Sequence, residues 1–308
     1  MSHEYGSSPT GIMDPHPVVL AGKDVFSFRA RRLKALSDKG GEMADYLGFM
    51  ARLVQAQDIV LKEHSPAWVP GPDAFSLALE HGMPPLGVDA LRRDVDWPSE
   101  LSALLDILEP RLAEQQRPRV AILRHATRAK MDALAAQILN GEPGSAEDRA
   151  AMPFVSAALQ IAWVRMAQVL PKPPERPAKD SRAVCPCCGS APAVSYIHVD
   201  KERSGARYLH CGLCSTEWYL ERSRCSVCDG SGHIRYLSLE DENGKQSGPV
   251  SAEVCGDCHS YLKIITREFH LSAEPLADDL GSLPLDFALA EAGEFDRSGS
   301  NPLLIVGE

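Results

Sequence analysis

Cys185-Pro-Cys-Cys188, Cys211-Gly-Leu-Cys214, Cys225-Ser-Val-Cys228 and Cys255-Gly-Asp-Cys258 are four Cys-x-x-Cys turns, and they decide the reading of the C-terminal part of the chain. Every cysteine of the 308 residues lies in this stretch, and Cys187 is the odd one out of nine. Each turn brings two sulfurs to one point, where backbone N–H groups can support them. Two turns make one four-thiolate site, so four turns make two.

Twenty-two residues separate Cys188 from Cys211, and twenty-six separate Cys228 from Cys255. Both gaps hold strand-like runs around a polar, Gly-containing turn, Lys201–Gly205 in the first and Asp241–Gly244 in the second. A hairpin that returns each chain closes a tetrahedron. The spacing thus groups Cys185, Cys188, Cys211 and Cys214 in one site and Cys225, Cys228, Cys255 and Cys258 in the other. A cross-braced arrangement, first turn with third and second with fourth, stays open. Four thiolates saturate a tetrahedral ion, which disfavours metal-assisted hydrolysis and favours structural sites. The donor set suits iron or zinc and does not choose between them. Cys187 reads as a bystander, with a redox or alternative-ligand role as the other option. Cys255-Gly-Asp-Cys258-His259 also matches a c-type haem attachment pattern, but haem there would orphan Cys225 and Cys228.

The surrounding chain is ordinary for a soluble protein, 44% hydrophobic and 24% charged, with a net charge of -10. Residues 181–270 hold ten Lys/Arg against eleven Asp/Glu, so the acidity belongs to the flanks. Neither the whole nor the cysteine region carries a basic footprint for nucleic acid. The N-terminus has no basic-then-apolar signal pattern, and no apolar run reaches the roughly 18 residues of a membrane span. The expected location is the cytoplasm, where paired thiols act as metal ligands rather than disulfides.

Residues 1–21, rich in Gly, Ser and Pro, read as an irregular arm, and residues 22–175 as a helical domain. Met43, Leu47, Met50, Val54 and Leu61 recur at helical spacing up to Pro66. Leu101, Leu104, Leu105, Leu108 and Leu112 do the same, with a kink at Pro110. A helix starting at Pro118 runs through Ile138 to an Asn140-Gly141 stop. Ser145-x-x-Asp148 resembles a capping box. Phe154–Leu170 is apolar on most faces and predicts a central buried helix. His64, His81 and His125 are isolated, and no catalytic constellation appears. The proline-rich Pro171–Pro177 marks the boundary. Residues 183–308 then form a two-site metal-binding ribbon domain, with strands at 194–199, 207–210 and 234–239 and one helix over Asp278–Ala292. The fold class is α+β, a helical bundle followed by a double rubredoxin/zinc-ribbon-like domain.

Several of these residues carry a resemblance. Cys185-Pro-Cys-Cys-Gly-Ser190, Arg207-Tyr-Leu-His-Cys-Gly-Leu-Cys214, Glu217-Trp218, Cys225-x-x-Cys228 and Glu253–Lys263 are similar to the formate dehydrogenase accessory protein FdhE family. Ala277-Asp-Asp-Leu280 and Arg297-Ser-Gly-x-Asn-Pro302 resemble its C-terminal signatures. The resemblance implies a cytoplasmic, non-catalytic maturation factor with rubredoxin-like iron. Its implied partner is the molybdenum-containing catalytic subunit of formate dehydrogenase. If the C-terminal signatures reflect a client surface, Asp278, Asp279, Arg297 and Asn301 belong to it. Two other readings compete. One is electron transfer to a client through a rubredoxin-like site. The other is a nucleic-acid-binding zinc ribbon using Lys201, Arg203, Arg207, Trp218, Tyr219, Arg222 and Arg224.

Overall fold

The computed structural model describes residues 16–304 except 67–69, 89–94, 113, 115–116, 143, 176–181, 200–204, 242 and 269. The helical part contains α1 (Val25–Ser37), α2 (Ala44–Glu63), a short α3 (Ser76–Glu80), α4 (Trp97–Leu108), α5 (Arg117–Arg124), α6 (Arg128–Asn140), α7 (Ala146–Arg149) and α8 (Met152–Gln168). Helix α2 follows the predicted apolar repeat, and α4 ends in a 3-10 turn over Glu109–Arg111 where Pro110 breaks the ladder. The helix expected from Pro118 to Asn140 is two helices. Thr127 ends the first run by capping the second, its hydroxyl accepting from the Lys130 N–H at 3.2 Å. Gly141 closes α6 at φ 69°, a left-handed position that glycine takes without strain. Helix α8 is the predicted central helix, with fourteen of its seventeen residues buried.

The C-terminal part is one eight-stranded sheet. Strands β2 (Pro192–Ile197), β3 (Arg207–Cys211) and β4 (Glu217–Tyr219) form one antiparallel ribbon. Strands β5 (Ile234–Leu237), β6 (Val250–Cys255) and β7 (Ser260–Thr266) form the other. The ribbons join edge to edge through parallel pairing of β2 with β7, Ser195 opposite Ile264 and Ile197 opposite Thr266. The arm expected to be irregular contributes β1 (Val18–Val19), which extends the sheet along β4. That pairing satisfies an edge that would otherwise leave unpaired backbone groups. Residues 1–15 lie outside the described residues. β8 (Asp296–Arg297) adds to the start of β7. The single helix expected over Asp278–Ala292 is α9 (Pro275–Gly281) and α10 (Leu283–Ala292), broken at Ser282, where Pro284 starts a new first turn.

One apolar core runs through both parts of the chain. It unites Leu53, Trp97, Leu104 and Trp163 of the helices with Leu209, Trp218, Leu262 and five first-ribbon cysteines, Cys187 among them. A second, smaller core lies under the second ribbon, around Val254, Ile265, Leu289 and Phe295. Buried ion pairs fasten the layers: Arg29 to Glu274 at 2.9 Å and Arg32 to Asp278 at 2.6 Å tie α1 to α9. Arg207, fully buried on β3, reaches Ser195 Oγ, the Arg224 carbonyl at 2.7 Å and Glu253 Oε1 at 2.7 Å, pinning one ribbon to the other.

Candidate metal centres

The four turns share one local geometry. In each, the residue after the second cysteine donates its N–H to the carbonyl of the first: Gly189 to Cys185 at 2.9 Å, Ser215 to Cys211 at 3.1 Å, Asp229 to Cys225 at 3.2 Å and His259 to Cys255 at 3.0 Å. That same residue is left-handed every time, with φ of 80° at Gly189, 55° at Ser215, 59° at Asp229 and 54° at His259. Three non-glycine residues hold this uncommon conformation, so the same turn recurs whether or not glycine stands at that position. The next residue carries a hydroxyl in three of the four turns. Ser190 Oγ lies 3.4 Å from Cys188 Sγ, Thr216 Oγ1 3.2 Å from Cys214 Sγ and Ser260 Oγ 3.0 Å from Cys258 Sγ. The fourth turn has Gly230 in that place.

The hairpins bring the turns together in sequential order. Cys185 Sγ is 3.6 Å from Cys214 Sγ, and Cys188 Sγ is 3.5 Å from Cys211 Sγ. In the second ribbon Cys225 and Cys258 are 3.6 Å apart, and Cys228 and Cys255 3.7 Å. All four sulfurs of each group fall within 4.8 Å of one another, so the cross-braced arrangement does not occur. A disulfide needs about 2.05 Å. A tetrahedron of sulfurs about 2.3 Å from a central ion has edges of roughly 3.8 Å, close to the observed spacings. Burial pushes the Cys185 and Cys214 thiols well up. Four thiolates in so small a volume need a cation between them. Each cluster therefore fits a metal ion, held by the eight cysteines that the spacing singled out. Cys187 is fully buried beside the first cluster but belongs to neither group.

The two clusters sit in different surroundings. All four sulfurs of the first belong to residues with no exposure. The helical part seals it: the Leu86 N–H donates to the Cys187 carbonyl at 2.7 Å and the Val88 N–H to the Cys188 carbonyl. Trp163 Nε1 holds Leu86 in place through its carbonyl at 3.0 Å. Gln160, itself fixed by Gln57, donates to the Gly212 carbonyl inside the second turn at 2.7 Å. A Cβ at Gly212 would meet the Ser300 carbonyl at 2.7 Å, so the C-terminal tail closes the other side. In the second cluster Cys225 and Cys255 are buried, Cys258 is partly exposed and Cys228 is exposed. The spacing of the cysteines predicts two sequential, closed sites and says nothing of a difference between them. What separates them are Leu86, Gln160 and Trp163, which stand far away in sequence and leave no local signal, whereas the Ser or Thr that follows three of the four turns stands in the sequence itself.

The structure places Asp278, Asp279, Arg297 and Asn301 in a buried network rather than on an open face. Asp278 pairs with Arg32. Asp279, with no exposure, accepts from Arg297 Nη2 at 2.8 and 2.9 Å, from Asn301 Nδ2 at 2.8 Å and from Lys263 Nζ at 3.1 Å. Asp286 completes the network against Lys263 and Arg297. Burial opposes ionisation of Asp279, but the charges of Lys263 and Arg297 prevail and hold it below the usual aspartate range. The residues proposed for nucleic acid do not form a platform. Arg207 and Trp218 are buried, Arg224 pairs with Asp229 and Arg222 Nε donates to the Gly205 carbonyl. Lys201 and Arg203 lie outside the described residues.

Comparison with known proteins follows this geometry. Three family models cover the chain: "FdhE, N-terminal" over residues 15–180, "FdhE, central domain" over 184–222 and "FdhE, C-terminal domain" over 223–304. The chain is similar to Protein FdhE of Salmonella paratyphi A, 37% identical over 310 residues that cover 99% of this chain and 96% of that one. It is 36% identical to the Protein FdhE homolog of Cronobacter sakazakii, over 93% of this chain and 90% of that one. The crystal structure of the FdhE protein from Pseudomonas aeruginosa superposes with a TM-score of 0.82 at 34% identity, over 95% of this chain and 100% of the other.

Proposed function

The chain belongs to the FdhE family, and on that premise we propose that it is an accessory factor for the maturation of respiratory formate dehydrogenase. It binds the molybdenum-containing catalytic subunit in the cytoplasm and turns over no substrate itself. The observation that carries this reading is the pair of saturated four-cysteine clusters built into a single sheet. Such sites hold a surface in shape and leave no coordination position for a substrate. Among the described residues no helix is long and apolar enough to cross a membrane, which accords with action on a client before export. Iron is the favoured ion, with zinc as the alternative, since both suit four thiolates.

Asp278, Asp279, Arg297 and Asn301 serve client binding in this proposal by fixing the C-terminal tail on the sheet. The test is a deletion strain complemented with this chain, assayed for membrane formate dehydrogenase activity and for co-purification of the catalytic subunit. Normal activity in the deletion strain would sink the proposal. A second reading, electron transfer to the client, draws on the partly exposed second cluster. It predicts a coloured protein, reversibly reducible; stoichiometric zinc in anaerobically prepared protein would end it.

A further inference from the structure

We propose that the two clusters divide their work: the first is a permanent structural centre, and the second is a ligand-exchange site, open on the Cys228 side to incoming thiolates and amino-carboxylate chelators. The proposal rests on the reading that both clusters bind metal, and not on the identity of the client.

Three observations, two of them at Gly230, point to Cys228. It is the one exposed cysteine of the nine. It also follows the one turn without a hydroxyl, because Gly230 offers only its N–H to the sulfur where Ser190, Thr216 and Ser260 bring an oxygen. Hydrogen bonds to a ligating sulfur steady it and fix its direction, and losing such a partner weakens metal binding about 10- to 100-fold. A Cβ on Gly230 would stand 3.3 Å from Cys228 Sγ and 2.8 Å from Asp257 Oδ2, so this position has no room for a hydroxyl-bearing side chain beside the sulfur.

A way in is also present. A cleft of about 180 Å³ opens beside the third turn, lined by Arg182, Leu220, Cys225, Val227, Cys228 and Asp229. Val227 on its rim is half exposed. Arg182 reaches Glu221 through Nη1 at 3.2 Å, while its buried Nε has no hydrogen-bond partner among the described residues. An anionic donor entering here meets the Arg182 guanidinium, itself paired with Glu221, on the wall of the cleft. Cys225, Cys228, Cys255 and Cys258 would hold the metal ion, and on exchange an incoming donor would take the place of the Cys228 thiolate, which would pick up one proton with no electron moved. Among the described residues the first cluster has no counterpart to this route, since the backbone of Leu86 and Val88, Gln160 and the tail at Ser300 stand on it.

The test uses the full chain loaded anaerobically with Cd(II), its content measured first. The loaded protein is challenged with excess EDTA, trapped over time with N-ethylmaleimide and mapped by peptide mass spectrometry. We expect two ions per chain, one leaving at least tenfold faster than the other. Cys225, Cys228, Cys255 and Cys258 should label in the fast phase while Cys185, Cys188, Cys211 and Cys214 stay unlabelled. Fewer than two ions per chain would overturn the two-metal reading and this inference with it. Two ions leaving at one rate, or earlier labelling of the first cluster, would overturn the exchange site alone.

Discussion

Replacing Asp279 by Asn should cost about 3 kcal/mol of stability without touching a metal ligand. The structure sets the size. Asp279 and Lys263 have no exposed side-chain surface, while Asp286 and Arg297 keep 12% and 18%, so two anions and two cations balance largely out of water. D279N removes one negative charge, turns an amide N–H₂ toward Arg297, Asn301 or Lys263, and leaves a buried cation short of its partner. Breaking a buried pair from one side costs about 3–5 kcal/mol. The lower end applies here because Asp286 still faces both cations. That is roughly a hundredfold in the folding equilibrium. Guanidinium unfolding at pH 7, followed by tryptophan fluorescence, should show a lower midpoint with an unchanged slope.

The pH dependence gives a second reading of the same residue. The carboxyl is held below its ordinary value of 3.8 in the fold. Its stabilisation is therefore complete above that value and is lost as the pH falls through the lower, folded one. Asn does not titrate, so the gap between wild type and D279N should narrow below about pH 4. A loss under about 1 kcal/mol, or a gap constant down to pH 3, would refute the claim that Asp279 is an internal clamp. It would return the residue to the surface role that its signature suggests.

Other changes follow from the same geometry. Ser260→Ala removes the oxygen 3.0 Å from Cys258 Sγ and should weaken the second cluster's hold on zinc about tenfold in a chelator competition. Gly189→Ala places a side chain at φ 80° and should destabilise the fold by about 1–2 kcal/mol, read as a lower melting temperature at full metal occupancy. Arg207→Met leaves Glu253 buried without its cation and should cost about 3 kcal/mol in denaturant unfolding. Gln160→Ala removes the bond to the Gly212 carbonyl. It should raise maleimide labelling of Cys211 and Cys214 while labelling of Cys228 is unchanged.

The two cysteine clusters were legible because a Cys-x-x-Cys turn is a local device, complete within a few residues, and hairpin-length gaps pair the turns. The long apolar helices were legible for the same reason: α2 and α8 carry their burial in their own periodicity. Strands β6 and β7 left a weaker mark, since Val250–Cys255 and Ser260–Thr266 are buried on most positions and lose the alternation that identifies a half-exposed strand. The roles of Asp278 and Asp279 were hidden more deeply. Adjacent carboxylates near a helix start read as surface charge, and only α1 and β7, distant in sequence, supply Arg32 and Lys263 to bury them.

The same long-range contacts mean that the helical part cannot be treated as a separable handle on a ribbon. Cluster one owes its seal to the backbone of Leu86 and Val88, to Trp163 and to Gln160, and the core that holds these side chains includes Cys185, Cys188, Cys211 and Cys214 themselves. A ribbon fragment would keep every ligand and lose the wall, so its first cluster would exchange much as the second does in the whole chain. The difference between the clusters is thus a property of the fold and not of the Cys-x-x-Cys motif. Mutating helical residues is accordingly the way to ask what a sealed centre contributes, because it alters access while leaving all eight sulfurs in place.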